Sequence, residues 1–115
     1  MIKLYGIANC DTVKKARAWL VTAAIAHEFV DFKKMPPDAG QVGRWCAALG
    51  VDAVLNRRGT TWRQLDAATQ TRAATTAGVI RLLVANPSAI KRPVIESGAT
   101  LLIGFDAAQY AKLLK

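Results

Sequence analysis

The order of the first 32 residues restricts the fold more than any other feature of this chain. Ile2, Leu4 and Tyr5 make a short apolar run of β-formers that stops at Gly6. Residues 11–24 then carry Val13, Ala16, Leu20 and Ala23 at three- and four-residue steps, with Asp11 and Thr12 placed where a first helical turn favours them. Glu28 to Phe32 mixes apolar Phe29 and Val30 with polar Asp31 and reads as a second strand. Strand, helix and strand in so short a span form a βαβ unit, in which the crossover is right-handed.

Beyond it the pattern changes. Lys33-Lys34-Met35-Pro36-Pro37 breaks the chain, and Asp38 caps a helix over 39–49 that places Val42, Trp45, Cys46 and Leu49 at helical spacing and ends at Gly50. Residues 52–55 form a short turn or helix. They lead into Asn56-Arg57-Arg58-Gly59-Thr60-Thr61-Trp62-Arg63, a polar, basic loop running into a short helix around 61–65. Residues 68–86 read as helical, in two pieces meeting near Gly78, with Val79, Leu82 and Leu83 facing the core. Two apolar runs then flank Ser97-Gly98-Ala99 as a hairpin, the first opened by Pro93, where a missing N–H is tolerated. Asp106 caps a last helix with Tyr110, Leu113 and Leu114 as its apolar face. The order βαβ, helical middle, ββα describes an α/β, thioredoxin-like fold. It has a mixed four-stranded sheet with helices on both faces, in a single domain 1–115 with a helical insertion about 38–88.

The chemistry gathers at Cys10. It stands between a strand end and a helix start, where free N–H groups and the positive end of the helix dipole favour an anion. Thiols so placed fall to pKa values of ~3.5–7.5 from ~8.5. Lys14 lies one turn on, and Asn9, Asp11 and Thr12 are positioned to line an anion nest through their backbone N–H groups, Asp11 serving equally as a cap. Arg92 would hold a carboxylate or oxyanion with its planar, always-charged fork, and Arg57 and Arg58 are divided between site and surface. Cys46, between Trp45 and Leu49, reads as core, and Trp19, Trp45 and Trp62 as core or rim. His27, the sole histidine, stands at the start of the second strand as a structural or exposed residue. Two distant cysteines and one histidine make no closed metal set, and neither a phosphate loop nor a dinucleotide fingerprint is present.

The net charge of +8 would suit nucleic acid, a membrane surface or a small anionic substrate. The basic residues are scattered in four groups without an aromatic stacking platform, so nucleic acid is not the expected partner. No apolar run approaches the ~20 residues of a membrane span. The opening residues run directly into a strand rather than a leader, and two cysteines 36 positions apart suggest no disulfide framework. A cytoplasmic location is the expectation.

Three segments, 5–16 (Tyr-Gly-Ile-Ala-Asn-Cys-Asp-Thr-Val-Lys-Lys-Ala), 56–63 and 90–94 (Ile-Lys-Arg-Pro-Val), together resemble the ArsC/Spx/YffB family of thioredoxin-like proteins over essentially the whole length, closest to its YffB-type branch. The resemblance implies a nucleophile at Cys10, an arginine contact at Arg92 and a cis bond before Pro93. The family's arsenate reductases use two further arginines. Arg57 or Arg58 stands in for one, whereas the position after the last strand holds Gly104-Phe105-Asp106 and no arginine, which weakens the case for arsenate. Where the regulatory branch often has Cys-x-x-Cys, this chain has Val13 in the fourth position, so an internal dithiol switch is not expected.

These readings combine into an enzyme, a glutathione-dependent monothiol oxidoreductase. In it Cys10 attacks a disulfide or oxidised centre and an external thiol resolves the adduct. Arg92, Arg57 or Arg58, Lys14, Asn9, Asp11, Thr12 and Pro93 are its expected substrate contacts. Glutathione or another small thiol is co-substrate, an oxidised thiol or oxyanion is substrate, and no cofactor is tightly bound. The chain is expected to be a monomer with no membrane partner. Arsenate reduction by the same thiolate is the alternative within enzymes. A non-enzymatic regulator that binds RNA polymerase is the alternative outside them.

Overall fold

A computed structural model describes residues 2–115. The chain divides into two compact units, 1–35 with 92–115, and 36–91.

The first unit holds the sheet. Its strands are β1 (Ile2–Gly6), β2 (His27–Asp31), β3 (Val94–Ser97) and β4 (Thr100–Ile103), in spatial order β2-β1-β3-β4. β1 pairs parallel with β2, Ile2 opposite His27 and Gly6 opposite Asp31. It pairs antiparallel with β3, Tyr5 opposite Val94, and β3 continues antiparallel into β4. This is the mixed, thioredoxin-like sheet that the element order implies. Helices α1 (Asp11–Thr22) and α7 (Ala107–Leu114) pack on one face. Leu4, Ile95 and Leu102 from the sheet meet Val13, Ala16 and Leu20 from α1 and Tyr110 from α7, every one of them buried. Tyr110 is clasped edge-on by Trp19 and Phe105, and its hydroxyl donates to the Gly104 carbonyl, so its polar tip is satisfied inside the core.

α1 stops two residues before the periodicity ends. Ala24 turns left-handed at φ 58°, and the Ile25 N–H bonds Leu20 O while the Ala24 N–H bonds Val21 O. That is a Schellman close made without glycine, at a cost of roughly 1–2 kcal/mol for the alanine. No glycine marks the spot, so the pattern overruns it. β2 likewise begins one residue earlier than expected, and Leu113 of α7 is 45% exposed, leaving Tyr110 and Leu114 as its packed face.

The second unit is helical: α2 (Ala39–Leu49), α3 (Val51–Val54), α4 (Thr60–Gln64), α5 (Ala67–Thr71) and α6 (Thr76–Ala85), with single 3-10 turns at Arg72–Ala74 and Pro87–Ala89. Asp38 caps α2 by accepting from Gln41 N–H at 2.8 Å. α2 packs on α3 and α6, and Val42, Trp45, Val54, Val79 and Leu83 are fully buried. A Leu55–Ile90 bridge clips the ends of this unit together, with Asn56 N–H on Ala89 O and Lys91 N–H on Val54 O. The helical stretch over 68–86 breaks at Thr75, not near Gly78. The Thr75 hydroxyl caps α6 by accepting from Gly78 N–H at 3.0 Å. Gly78 lies inside the first turn of α6, and a Cβ there would fall 1.6 Å from the Arg72 carbonyl oxygen, so only glycine fits. Among the described residues, no helix is long and apolar enough to cross a membrane.

Candidate functional site

Cys10 occupies the junction of β1 and α1. Residues 7–9 carry the chain from Gly6 to the helix, Ile7 buried, Ala8 and Asn9 exposed. Cys10 itself is the N-cap, extended at φ −138° and ψ 123°, and its carbonyl accepts the first intrahelical bond from Lys14 N–H at 2.9 Å. Its sulfur is thereby set where serine or aspartate would accept from the second and third helical N–H groups. No side-chain cap bond of full geometry closes here. The Val13 and Thr12 N–H groups nevertheless act on the sulfur, whose large anion accepts longer and more bent contacts than an oxygen does.

Arg92 comes from the other direction. It precedes β3, whose Val94 pairs with Tyr5 of β1, the strand that leads to the thiol. Its guanidinium lies close enough to the Cys10 sulfur for both its N–H groups and its charge to favour the thiolate. The Arg92–Pro93 bond is cis, and the buried Pro93 accepts at its carbonyl from Gly104 N–H at 2.9 Å.

The electrostatic balance at the sulfur follows from these neighbours. Partial burial raises the thiol pKa. Against it act the Val13 N–H, then the Arg92 hydrogen bond and charge, then the Thr12 N–H, and together they win. Cys10 ionises below its ordinary value, the condition for a nucleophilic thiol. Cys46 goes the opposite way: it is 5% exposed on α2, and burial pushes its thiol up.

The expected site residues separate into groups. Cys10, Arg92 and the Thr12 backbone come together, with Pro93 next to Arg92. Asn9, Asp11 and Lys14 are exposed. Asp11 is the first residue inside α1 rather than its cap, because Cys10 holds that position. Arg57 and Arg58 belong with Asp52, Asn56 and Lys91 in the helical unit, where these residues line an open depression of about 360 Å3. Arg57 is ion-paired to Asp52 at 2.5 Å and lies over the Trp62 ring, while the Arg58 N–H donates to Asn56 Oδ1. His27 sits at the start of β2 with Nδ1 3.0 Å from the Ile25 carbonyl. Among the described residues no three His, Cys, Asp or Glu side chains gather to hold a metal.

Sequence reasoning missed two residues. Val13 reads as core, and it is core, but its N–H is the foremost of the groups that lower Cys10. The signal was available: a residue three past an N-cap always offers that donor. Asp52, the partner of Arg57, was not legible, because nothing in the spacing pairs it with one arginine rather than another.

Comparison with known proteins fits this geometry. The ArsC family model matches residues 5–113. A protein named YffB has a solved structure that is 46% identical, with each chain covered completely and a TM-score of 0.95. An ArsC-related protein from Brucella melitensis is 40% identical, with 99% of this chain and 94% of that one covered and a TM-score of 0.76. An uncharacterised Haemophilus influenzae protein is 39% identical over 110 residues, 96% of each chain. On the match of its sequence over nearly its full length and of its sheet and helices, this chain belongs to the ArsC family.

Proposed function

We propose that the protein is a monothiol oxidoreductase that takes glutathione from mixed disulfides. The Cys10 thiolate attacks the glutathione sulfur of an R–S–S–glutathione disulfide in line. The S–S bond breaks, R–S⁻ leaves and takes a proton from water, and Cys10 holds the glutathione as a mixed disulfide. A second glutathione, as thiolate, attacks that sulfur, releasing oxidised glutathione and restoring the Cys10 thiolate. The balance is one mixed disulfide and one glutathione in, one free thiol and one glutathione disulfide out. Arg92 and the Val13 and Thr12 N–H groups hold the sulfur ionised before attack and again when it departs as leaving group.

The observation that carries this reading is the single thiol at the N-cap of α1, with the Arg92 guanidinium beside it favouring its thiolate. Val13 stands where a second thiol of a Cys-x-x-Cys pair would be, so resolution falls to an external thiol. The family relationship supports thiol chemistry in general. Arsenate reduction would use the same sulfur, but Gly104-Phe105-Asp106 offers no cation after β4 for an oxyanion.

Intact-mass analysis after incubation with oxidised glutathione tests the proposal. One glutathione per chain is expected on the wild type and none on Cys10→Ser, with turnover of a glutathione mixed disulfide that Cys10→Ser abolishes. An adduct that persists in Cys10→Ser, or arsenate reduced by the protein while mixed disulfides are not, would refute it.

A further inference from the structure

Gly6 ends β1 and is buried, yet its backbone makes no demand for glycine. Positive φ among the glycines is confined to Gly50, Gly98 and Gly104. The demand is for space. A Cβ on Gly6 would lie 2.7 Å from Val13 Cγ2 and 3.4 Å from Val13 Cγ1, well inside the ~3.5–4.0 Å at which carbon atoms attract. Val13 cannot swing aside. It is fully buried against Leu4, Ala16 and Leu20, and a β-branched side chain in a helix keeps one dominant rotamer. Any side chain at position 6 would therefore be relieved through the backbone of the first turn of α1. That turn carries the Val13 N–H, so one residue provides both the contact with Gly6 and the leading donor to Cys10.

We propose that Gly6 is a positioning residue for Cys10. Its missing side chain lets Val13 seat against β1, and that seating sets the first turn of α1 with the Val13 N–H facing the Cys10 sulfur. Gly6 touches neither substrate nor sulfur and acts through Val13. The inference rests on Cys10 working as a thiolate, as in the proposed function.

The test is a double-substitution cycle read by the pH profile of iodoacetamide alkylation, in a Cys46→Ala background so that a single thiol reports. Gly6→Ala should move the profile to higher pH and slow alkylation near pH ~6.5 by roughly three- to tenfold. In a Val13→Ala background, where the γ carbons are gone, the same Gly6→Ala change should move it little, the non-additivity expected of residues in contact. Should Gly6→Ala be too unstable to purify, Val13→Ile crowds the same contact and is expected to shift the profile in the same direction. A Gly6→Ala profile superimposable on its parent overturns the inference. So does an equal shift whether Val13 is kept or replaced by alanine, or an unmoved Val13→Ile profile. Failure of the underlying reading looks different: the parent protein, with no change at position 6, would alkylate with the profile of a free thiol.

Discussion

Cys10 and Cys46 are the same side chain in two surroundings, and their contrast explains more than either does alone. Both are partly or wholly withdrawn from water, which disfavours a thiolate in each. Cys46 sits mid-helix on α2, next to the fully buried Trp45, where the helical N–H groups are already spent on carbonyls, and burial alone decides its ionisation. Cys10 stands one residue before a helix, where N–H groups have no carbonyl to bond, and the segment entering β3 brings the Arg92 guanidinium to the same point. Reactivity in this fold is thus a matter of where a cysteine meets unspent donors. Depth of burial counts for less.

The contrast can be broken by removing the guanidinium. Arg92→Ala should slow alkylation of Cys10 near pH ~6.5 about tenfold, the rate equivalent of a charge-assisted hydrogen bond worth ~1.5 kcal/mol. Alkylation of Cys46 should stay slow. Arg92→Lys should recover only part of the loss, because an ammonium keeps the charge and lacks the planar fork. If Arg92→Ala alkylates as fast as wild type, the helix N-terminus alone activates the thiol.

A smaller effect sharpens the comparison through stability. A thiol depressed in the folded state contributes stability that is complete above the unfolded thiol pKa of ~8.5 and fades as pH falls through its folded value. A thiol raised in the folded state contributes fully below ~8.5 and loses its contribution as pH climbs through the folded value. In urea unfolding under reducing conditions, the stability of wild type over Cys10→Ala should therefore grow as pH rises toward ~8.5, while its advantage over Cys46→Ala should shrink above that point. Slopes of the same sign for the two variants would mean that the two sulfurs do not differ as described.

The sheet was legible because its determinants are local and repeated. The apolar run of β1, the three-and-four spacing of α1 and the Ser97-Gly98 turn each specify one element, and their order leaves little topological choice. The thiol was legible for the same reason, since strand, cysteine and helix follow one another directly. What escaped was set by contacts across the chain or by backbone geometry that no residue type announces. Ala24 closes α1 in a left-handed conformation that sequence habit assigns to glycine. The break falls at Thr75, which turns extended and caps α6 through its hydroxyl, a switch that no periodicity displays. Gly6 reads as a strand terminator and acts as a clearance for Val13. Arg57 reads as divided between site and surface and is held by Asp52.

The central claim is that the Cys10 sulfur ionises more readily than an ordinary cysteine, and it is tested most directly by titrating the ultraviolet absorbance of the thiolate in the Cys46→Ala protein. A single transition with its midpoint below the ~8.5 of an ordinary cysteine, absent from the protein carrying both Cys10→Ser and Cys46→Ala, is the expected result. A midpoint at or above that value would contradict the account, since burial would then outweigh Val13, Arg92 and Thr12 at the one sulfur on which the proposed chemistry depends.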